Sequence, residues 1–373
     1  MAARSWLWRS SSIKALRHCG RVPLGGQVGV KVSGASGERV AGIAGVSTCS
    51  SVWACPCCSA KIAGVRTGEV ADVLTQWKQH TGGRVIMVTL TVRHDASQSL
   101  AEVWTGVSRA WRAACNGKAW DQAQRCYGVP MPSRGRVVER VPVVRVVEVT
   151  HGQHGWHVHV HALLLVRAGV TDREARLIGD AMWGRWDRGA VAAGLRSGSR
   201  QAMDAHLVTP GSEGTSLADY FTKAVYEATL GGVSKEGRSG SRTPFQILGD
   251  LMAHRAGERR LSQVELARDT RLWSEWETGS RGRRQISYSH GLRDWLALEV
   301  ERTDQDIAEE DAGGEVVYLI GADAWRWIVR HGVVPGMLDA WEASDDVGRA
   351  YMAMLVQLHA RQQARDGTQP QRR

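Results

Sequence analysis

The sequence predicts an α+β chain: a central antiparallel sheet with flanking helices, a small cysteine-rich module at the N-terminus and a helical region at the C-terminus. Three observations carry this. The runs VPVVRVVEVT (141–150) and WHVHVHALLLV (156–166) flank HGQHG as two hairpin strands flank a turn, so neighbouring strands run antiparallel. Segments between strand-like runs repeat apolar residues at helical spacing, as Trp104 and Trp111 do at i, i+7. Finally, residues 1–66 are glycine-rich, lack helical periodicity and hold most of the cysteines.

In chain order, the first expected helix spans 60–80 and is stopped by Gly82-Gly83. VIMVTLTV (85–92) is β-branched and reads as a buried strand. A helix over 100–116 precedes the 141–150/156–166 hairpin, and another over 172–193 puts Trp183 and Trp186 on one face. Residues 196–216 are rich in Ser, Gly and Thr and read as loop. A helix over 216–230 ends at Gly231-Gly232, and GGVSKEGRSGSRT (231–243) reads as a mobile linker. Helical pieces follow at 244–251, 263–278 and 290–299, then an acidic stretch that looks disordered (301–314) and a last helical piece at 335–363. No internal repeat is present. The expected segments are a cysteine-rich module (1–66), a catalytic core (67–232), a linker with helices suited to DNA contact (233–300), and an acidic linker with a C-terminal helical segment of unassigned role (301–373).

At 373 residues the chain can bury a full core, and no apolar run approaches the roughly 20 residues needed to cross a bilayer. The N-terminal MAARSWLWRSSSIKALRHCG is basic but broken by arginine, unlike a secretory signal; a cytoplasmic location is the expectation. The net charge of +10 is uneven, because residues from Glu299 onward hold 14 acidic and 8 basic side chains. A basic body with an acidic tail suits a polyanion, most simply nucleic acid. A second reading stays open: only 7 of 48 basic residues are lysine, so some arginine reflects the codon bias of a GC-rich genome.

The stretch EVTHGQHGWHVHVHALLL (148–165) contains five histidines, and His157, His159 and His161 alternate with valine. On a strand these three share one face. One core histidine needs only a hydrogen bond; three in register ask for more. Neighbours two apart are about 6.6 Å apart and the outer pair about 13 Å, so an adjacent pair can chelate an ion while the outer pair hardly can. If the turn centres on Gln153-His154, Glu148 faces His159 from the partner strand. Two imidazoles and a carboxylate form a site for a divalent Lewis acid. A bulge within 151–155 would turn Glu148 away.

Seven cysteines, four of them within 49–58, suit metal binding in a reducing compartment better than disulfides. Cys55 and Cys58 form a C-x₂-C knuckle, with Cys49 and Cys19 upstream; four thiolates would make a closed zinc site. Cys57 competes with Cys58, though the spacing favours Cys58. Cys115 and Cys126 read as plain thiols.

GWHVHVHALLL resembles motif II of the HUH endonucleases, in the form carried by rolling-circle plasmid replication initiators of actinobacterial type. The resemblance implies an HUH-like fold, with His159 and His161 as the metal-binding pair and His157 as the extra histidine such initiators often carry. VIMVTLTVRH (85–94) resembles motif I, placing Thr89 and Thr91 on one face toward the DNA backbone; two threonines in an edge strand are otherwise ordinary. Tyr220-Phe-Thr-Lys223 resembles motif III, a helix on which the nucleophilic tyrosine and a lysine share a face. CSSVWACPCCSAKI, SRTPFQILGDL and RGRRQISYSHGLRDW look like further segments of these initiators, and the resemblance also supports Cys19, Cys49, Cys55 and Cys58 as zinc ligands. It covers roughly residues 15–298.

Such enzymes nick one DNA strand by tyrosine attack, form a 5′-phosphotyrosine and leave a 3′-OH to prime synthesis. The implied cofactors are Mg²⁺ or Mn²⁺ for catalysis and Zn²⁺ for structure. The implied partners are single-stranded or hairpin origin DNA with host helicase and polymerase, and no membrane. Tyr226 lies about 240° around the helix from Tyr220 and is a poor second nucleophile. One departure concerns termination: related initiators often carry a glutamate four residues before the tyrosine, and this chain has Ser216 there, with Glu213, Asp219 and Glu227 off the spacing. An HUH transposase or relaxase, and a non-catalytic zinc-stabilised DNA-binding regulator, are the competing readings.

Overall fold

The computed structural model describes residues 2–34, 39–208, 240–310, 313–344 and a few positions from 346 to 356. Its strands are β1 (Gln27–Ser33), β2 (Val40–Ala44), β3 (Arg84–Leu90), β4 (Val129–Ser133), β5 (Arg136–Arg140), β6 (Val143–Gly152), β7 (Gly155–Val166), β8 (Asp204–Leu207), β9 (Ile286–Tyr288) and β10 (Glu315–Gly321). The fold is α+β with antiparallel sheets, in two compact units: residues 1–51 with 304–373, and residues 52–303.

In the larger unit a five-stranded sheet runs β8-β3-β7-β6-β9, every pair antiparallel. The β6–β7 register pairs Gly152 with Gly155 and Glu148 with His159, as a two-residue turn at Gln153-His154 gives. Gly155 has φ +86°, and a Cβ there would lie 3.0 Å from the Ala96 Cα, so this position needs glycine twice over. The close approach seats the 93–98 loop against the hairpin tip.

The two faces of this sheet are covered differently. On one, Ile86, Val88, Leu90, Val158, Val160 and Leu164 are buried; the helices Leu100–Ala114 and Asp172–Ala192 pack against this sheet and each other. Both helices begin with reciprocal capping boxes, Ser99 with Glu102 and Thr171 with Glu174, which satisfy orphan amides of their first turns. On the other face the helix Pro56–Thr81 lays Val70, Val73, Leu74 and Trp77 over Val85, Met87, Leu163 and Leu165. That cover reaches only part of the sheet.

Several elements go beyond the sequence reading. Residues 204–207, read as loop, form edge strand β8: four residues are too few to show a period against the Ser/Gly-rich context. Residues 118–127 are helical, and 129–133 and 136–140 form a hairpin. The 290–299 helix shrinks to Leu292–Trp295.

The smaller unit joins sequence segments that had been read apart. β10 pairs antiparallel with β1, which pairs with β2, and the helices Ala322–His331 and Val334–Ala343 contribute Trp325, Ile328, Met337 and Trp341 to the same core as Val28, Val30 and Val32. The sequence reading placed 1–66 and 301–373 in separate segments; the apolar face of QVGVKVS cannot bury itself locally and takes EVVYLIG as its partner instead. Within the acidic stretch, Asp304–Glu309 is helical.

Candidate functional site

On the partly covered face, β7 presents His157, His159 and His161, β6 presents Glu148, and β3 presents Thr89, all by strand alternation. Three donor atoms converge. His159 Nε2 lies 2.9 Å from Glu148 Oε2, His161 Nε2 lies 3.2 Å from the same oxygen, and the two Nε2 atoms are 3.1 Å apart. Three ligands held at adjacent positions of an octahedral ion by bonds of about 2.1 Å stand about 3 Å from one another, so the triangle fits a divalent cation.

The electrostatics agree with that fit. Burial would raise the Glu148 carboxyl, but the hydrogen bonds from His159 and His161 outweigh it and hold the group well below the usual carboxylate range. Burial, only partly offset by Glu148, lowers His161. Near neutral pH the cluster therefore offers an ionised carboxylate beside an uncharged His161, a donor set suited to a divalent ion. Among the described residues, His159 Nδ1 is buried without a hydrogen-bond partner, while His161 Nδ1 meets Thr89 Oγ1 at 3.1 Å. A bound cation would displace the Nε2 proton that otherwise meets Glu148; the Thr89 hydroxyl can then accept from Nδ1–H, leaving the Nε2 lone pair for the ion.

His157 belongs to a second contact. Its Nδ1 lies 2.9 Å from His94 Nε2, and His94 Nδ1 lies 2.9 Å from the His154 carbonyl oxygen. A carbonyl only accepts, so His94 donates from Nδ1; the neutral ring then accepts at Nε2 from His157 Nδ1. Burial, first of all, keeps both rings uncharged, with His157 lowered to about 3. In that tautomer the lone pair of the neutral His157 ring sits on Nε2. The sequence reading did not single out His94; its one signal was a histidine closing the 85–94 run. Thr91 lies just beyond β3, its hydroxyl 3.4 Å from the Ala202 carbonyl. β8 adds Asp204 and His206 to this face, opposite Thr89 and Met87 and 2.7 Å from each other; neither was anticipated.

A second cluster gathers Cys19, Cys49, Cys55 and Cys58, whose sulfur atoms all lie within 4.8 Å of one another. Tetrahedral Zn–S bonds of about 2.3 Å would place sulfurs about 3.8 Å apart, so four thiolates here fit a closed structural metal site. Cys55 caps the helix that begins at Pro56, and Cys58 sits in its first turn, where the helix dipole favours thiolate. The Cys19 carbonyl accepts from Trp8 Nε1, and Gly20 donates to the Ser47 carbonyl, which brings the 19–20 turn next to the 47–49 segment. Cys57 is exposed and outside the cluster. Tyr220, Lys223, Tyr226 and Ser216 lie outside the described residues.

The class defined by this arrangement is an α+β protein with a two-histidine, one-carboxylate cluster on an antiparallel sheet and a four-cysteine cluster beside its first long helix. Residues 41–331 match the family described as replication protein, and the chain belongs to that family. It is 27% identical to Protein rep of Streptomyces lividans, over 77% of this chain and 74% of that protein. No solved structure matches it. Among the described residues no helix is long and apolar enough to cross a membrane.

Proposed function

We propose that the chain initiates rolling-circle replication by nicking and rejoining one strand of plasmid origin DNA. The observation that carries this is the Glu148–His159–His161 triangle in a member of a replication protein family. Glu148, His159 and His161 would hold Mg²⁺ or Mn²⁺, which when bound polarises the scissile phosphate. Tyr220 attacks: the Oη–P bond forms, the P–O3′ bond breaks, the phenol loses its proton and the departing 3′ oxygen gains one. Lys223, one turn along in the expected helix, favours the phenolate. His157, held by His94, and Thr91 face the DNA, whereas Thr89 orients His161. Cys19, Cys49, Cys55 and Cys58 would hold structural Zn²⁺ and pin the N-terminal segment. The partner is single-stranded or hairpin origin DNA, with helicase and polymerase taking over the 3′-OH in the cytoplasm. An HUH-like core is the fold this reading implies.

Mass spectrometry of the chain incubated with a labelled origin oligonucleotide, with Mn²⁺ or with EDTA, tests the reading. The expected result is a metal-dependent adduct on the peptide carrying Tyr220. An adduct persisting in Tyr220→Phe would refute the nucleophile, and no adduct under any metal would favour the regulator reading.

A further inference from the structure

The face of the sheet opposite the Glu148 cluster holds a second feature that this chemistry does not use. Arg145 lies on β6 three residues before Glu148, so alternation turns it to the other face, between Ala162 of β7 and Ser287 of β9. It lines a cavity of about 260 Å³ walled by Trp111, Trp120, Gln124, Arg140 and Ser287. The guanidinium carbon lies 5.7 Å from the Trp111 ring centroid. Arg145 Nε is buried and has no hydrogen-bond partner among the described residues. Among the described residues no carboxylate lines the cavity. The charges nearest Arg145 do not neutralise it: burial pushes the Cys115 thiol up to about 12, leaving it uncharged, and Arg284 is another cation.

A half-buried cation without a counter-charge is costly unless an anion completes it. The walls narrow the choice of anion. Two indoles offer flat apolar surfaces, Gln124 offers a hydrogen-bonding amide, and the arginines suit phosphate. At about 260 Å³ the cavity is smaller than the roughly 300–1,000 Å³ that houses a whole small-molecule ligand, and so suits one unit of a chain. Arg281 and Arg284, both exposed, precede β9 and continue the positive surface along the same edge.

We propose that this cavity receives one nucleotide of a single DNA strand, its phosphate on Arg145 and Arg140 and its base against the Trp111 and Trp120 indoles. The inference rests on the reading that the chain's partner is DNA, and it places a second grip on the strand on the face opposite the nicking cluster. Fluorescence anisotropy of the full chain with a labelled, mixed-sequence 12-nucleotide strand, without divalent metal and at several salt concentrations, tests it. Arg145→Met should weaken binding about tenfold and flatten the logarithmic salt slope by about 0.7, the contribution of one phosphate contact. Its melting temperature should hold or rise, since an uncompensated cation is removed; a merely structural arginine would lower it. If Arg145→Met fails to fold, Arg140→Gln at its exposed position should weaken binding about threefold. Affinities within twofold of the parent in the folded variants overturn the proposal. Displacement of the strand by millimolar thymidine monophosphate overturns the strand assignment in favour of a free nucleotide. A chain that binds the strand through Arg145 yet never forms the tyrosine adduct overturns the nicking reading and leaves this site standing; nicking without Arg145-dependent binding does the reverse.

Discussion

One face of the central sheet has two ends built on the same three strands and opposite in chemistry. Toward the helix Pro56–Thr81, β7 carries Leu163 and Leu165, β3 carries Val85 and Met87, and β6 carries Val144 and Val146, all buried. One row beyond Leu163 and Met87, β7 and β3 carry His161 and Thr89 beside Val146, and in the next row His159 faces Glu148. The change from apolar to metal-ligating occurs within about one row on all three strands, and strand alternation is unbroken across it. What differs is the cover: the helix lies over the apolar end, so the far end is free of the demand to exclude polar groups. The sheet thereby makes a rigid platform whose apolar half fixes the register and whose polar half uses it.

If that division holds, the ends respond to substitution in different currencies. The largest effect is expected at the polar end: His159→Ala with His161→Ala should weaken Mn²⁺ binding, measured by calorimetry, by more than about 100-fold, since outer-shell partners alone are worth 10–100-fold. The urea midpoint should fall less than for a core truncation: the two rings are largely buried, but they lie beyond the apolar cluster under the helix. A double variant that unfolds would break the comparison. Leu163→Ala should do the converse, costing about 3 kcal/mol in urea unfolding with Mn²⁺ affinity unchanged, because a fully buried leucine leaves a cavity under the helix. Thr89→Val sits at the boundary and sharpens it. Losing the hydroxyl at 3.1 Å from His161 Nδ1 should weaken Mn²⁺ about tenfold and cost roughly 1 kcal/mol of stability.

The sequence made the polar end legible and left the cover obscure. His157, His159 and His161 announce a shared face by period-two spacing, and the turn centred on Gln153-His154 fixes Glu148 opposite His159 by counting alone. His94 stayed hidden because its neighbour His157 is 63 residues away, and only the packing of the 93–98 loop against Gly155 joins them. β10 stayed hidden for a related reason: EVVYLIG follows an acidic stretch, and its partner QVGVKVS lies almost 300 residues earlier. Local pattern shows which face a residue takes, while non-local pairing decides what covers that face.

The smallest expected effect lies at the hairpin tip, on the face away from the metal ligands. His151 packs edge-on against Trp156, with ring centroids 4.9 Å apart, and its backbone pairs with Arg242. Burial first, and then the positive charge of Arg242, lower it to about 4, with Arg268 acting the same way and Glu275 and Asp269 opposing. Arg242 is itself tied at 2.7 Å to Asp250 and to the fully buried Asp269, so its charge stays in place as pH falls. The unfolded chain takes up this proton near pH 6.5 and the folded chain only near 4, so the unfolded state binds more protons between those values. Stability from this group is therefore complete above about 6.5 and is lost as pH falls toward 4. His151→Gln should flatten the slope of urea midpoint against pH across that window, by less than the full shift implies because the ring is only half-buried. An unchanged slope would mean that the hairpin tip opens to water before the sheet unfolds. The polar end would then be the less stable half of the platform, with its register held from the apolar end alone.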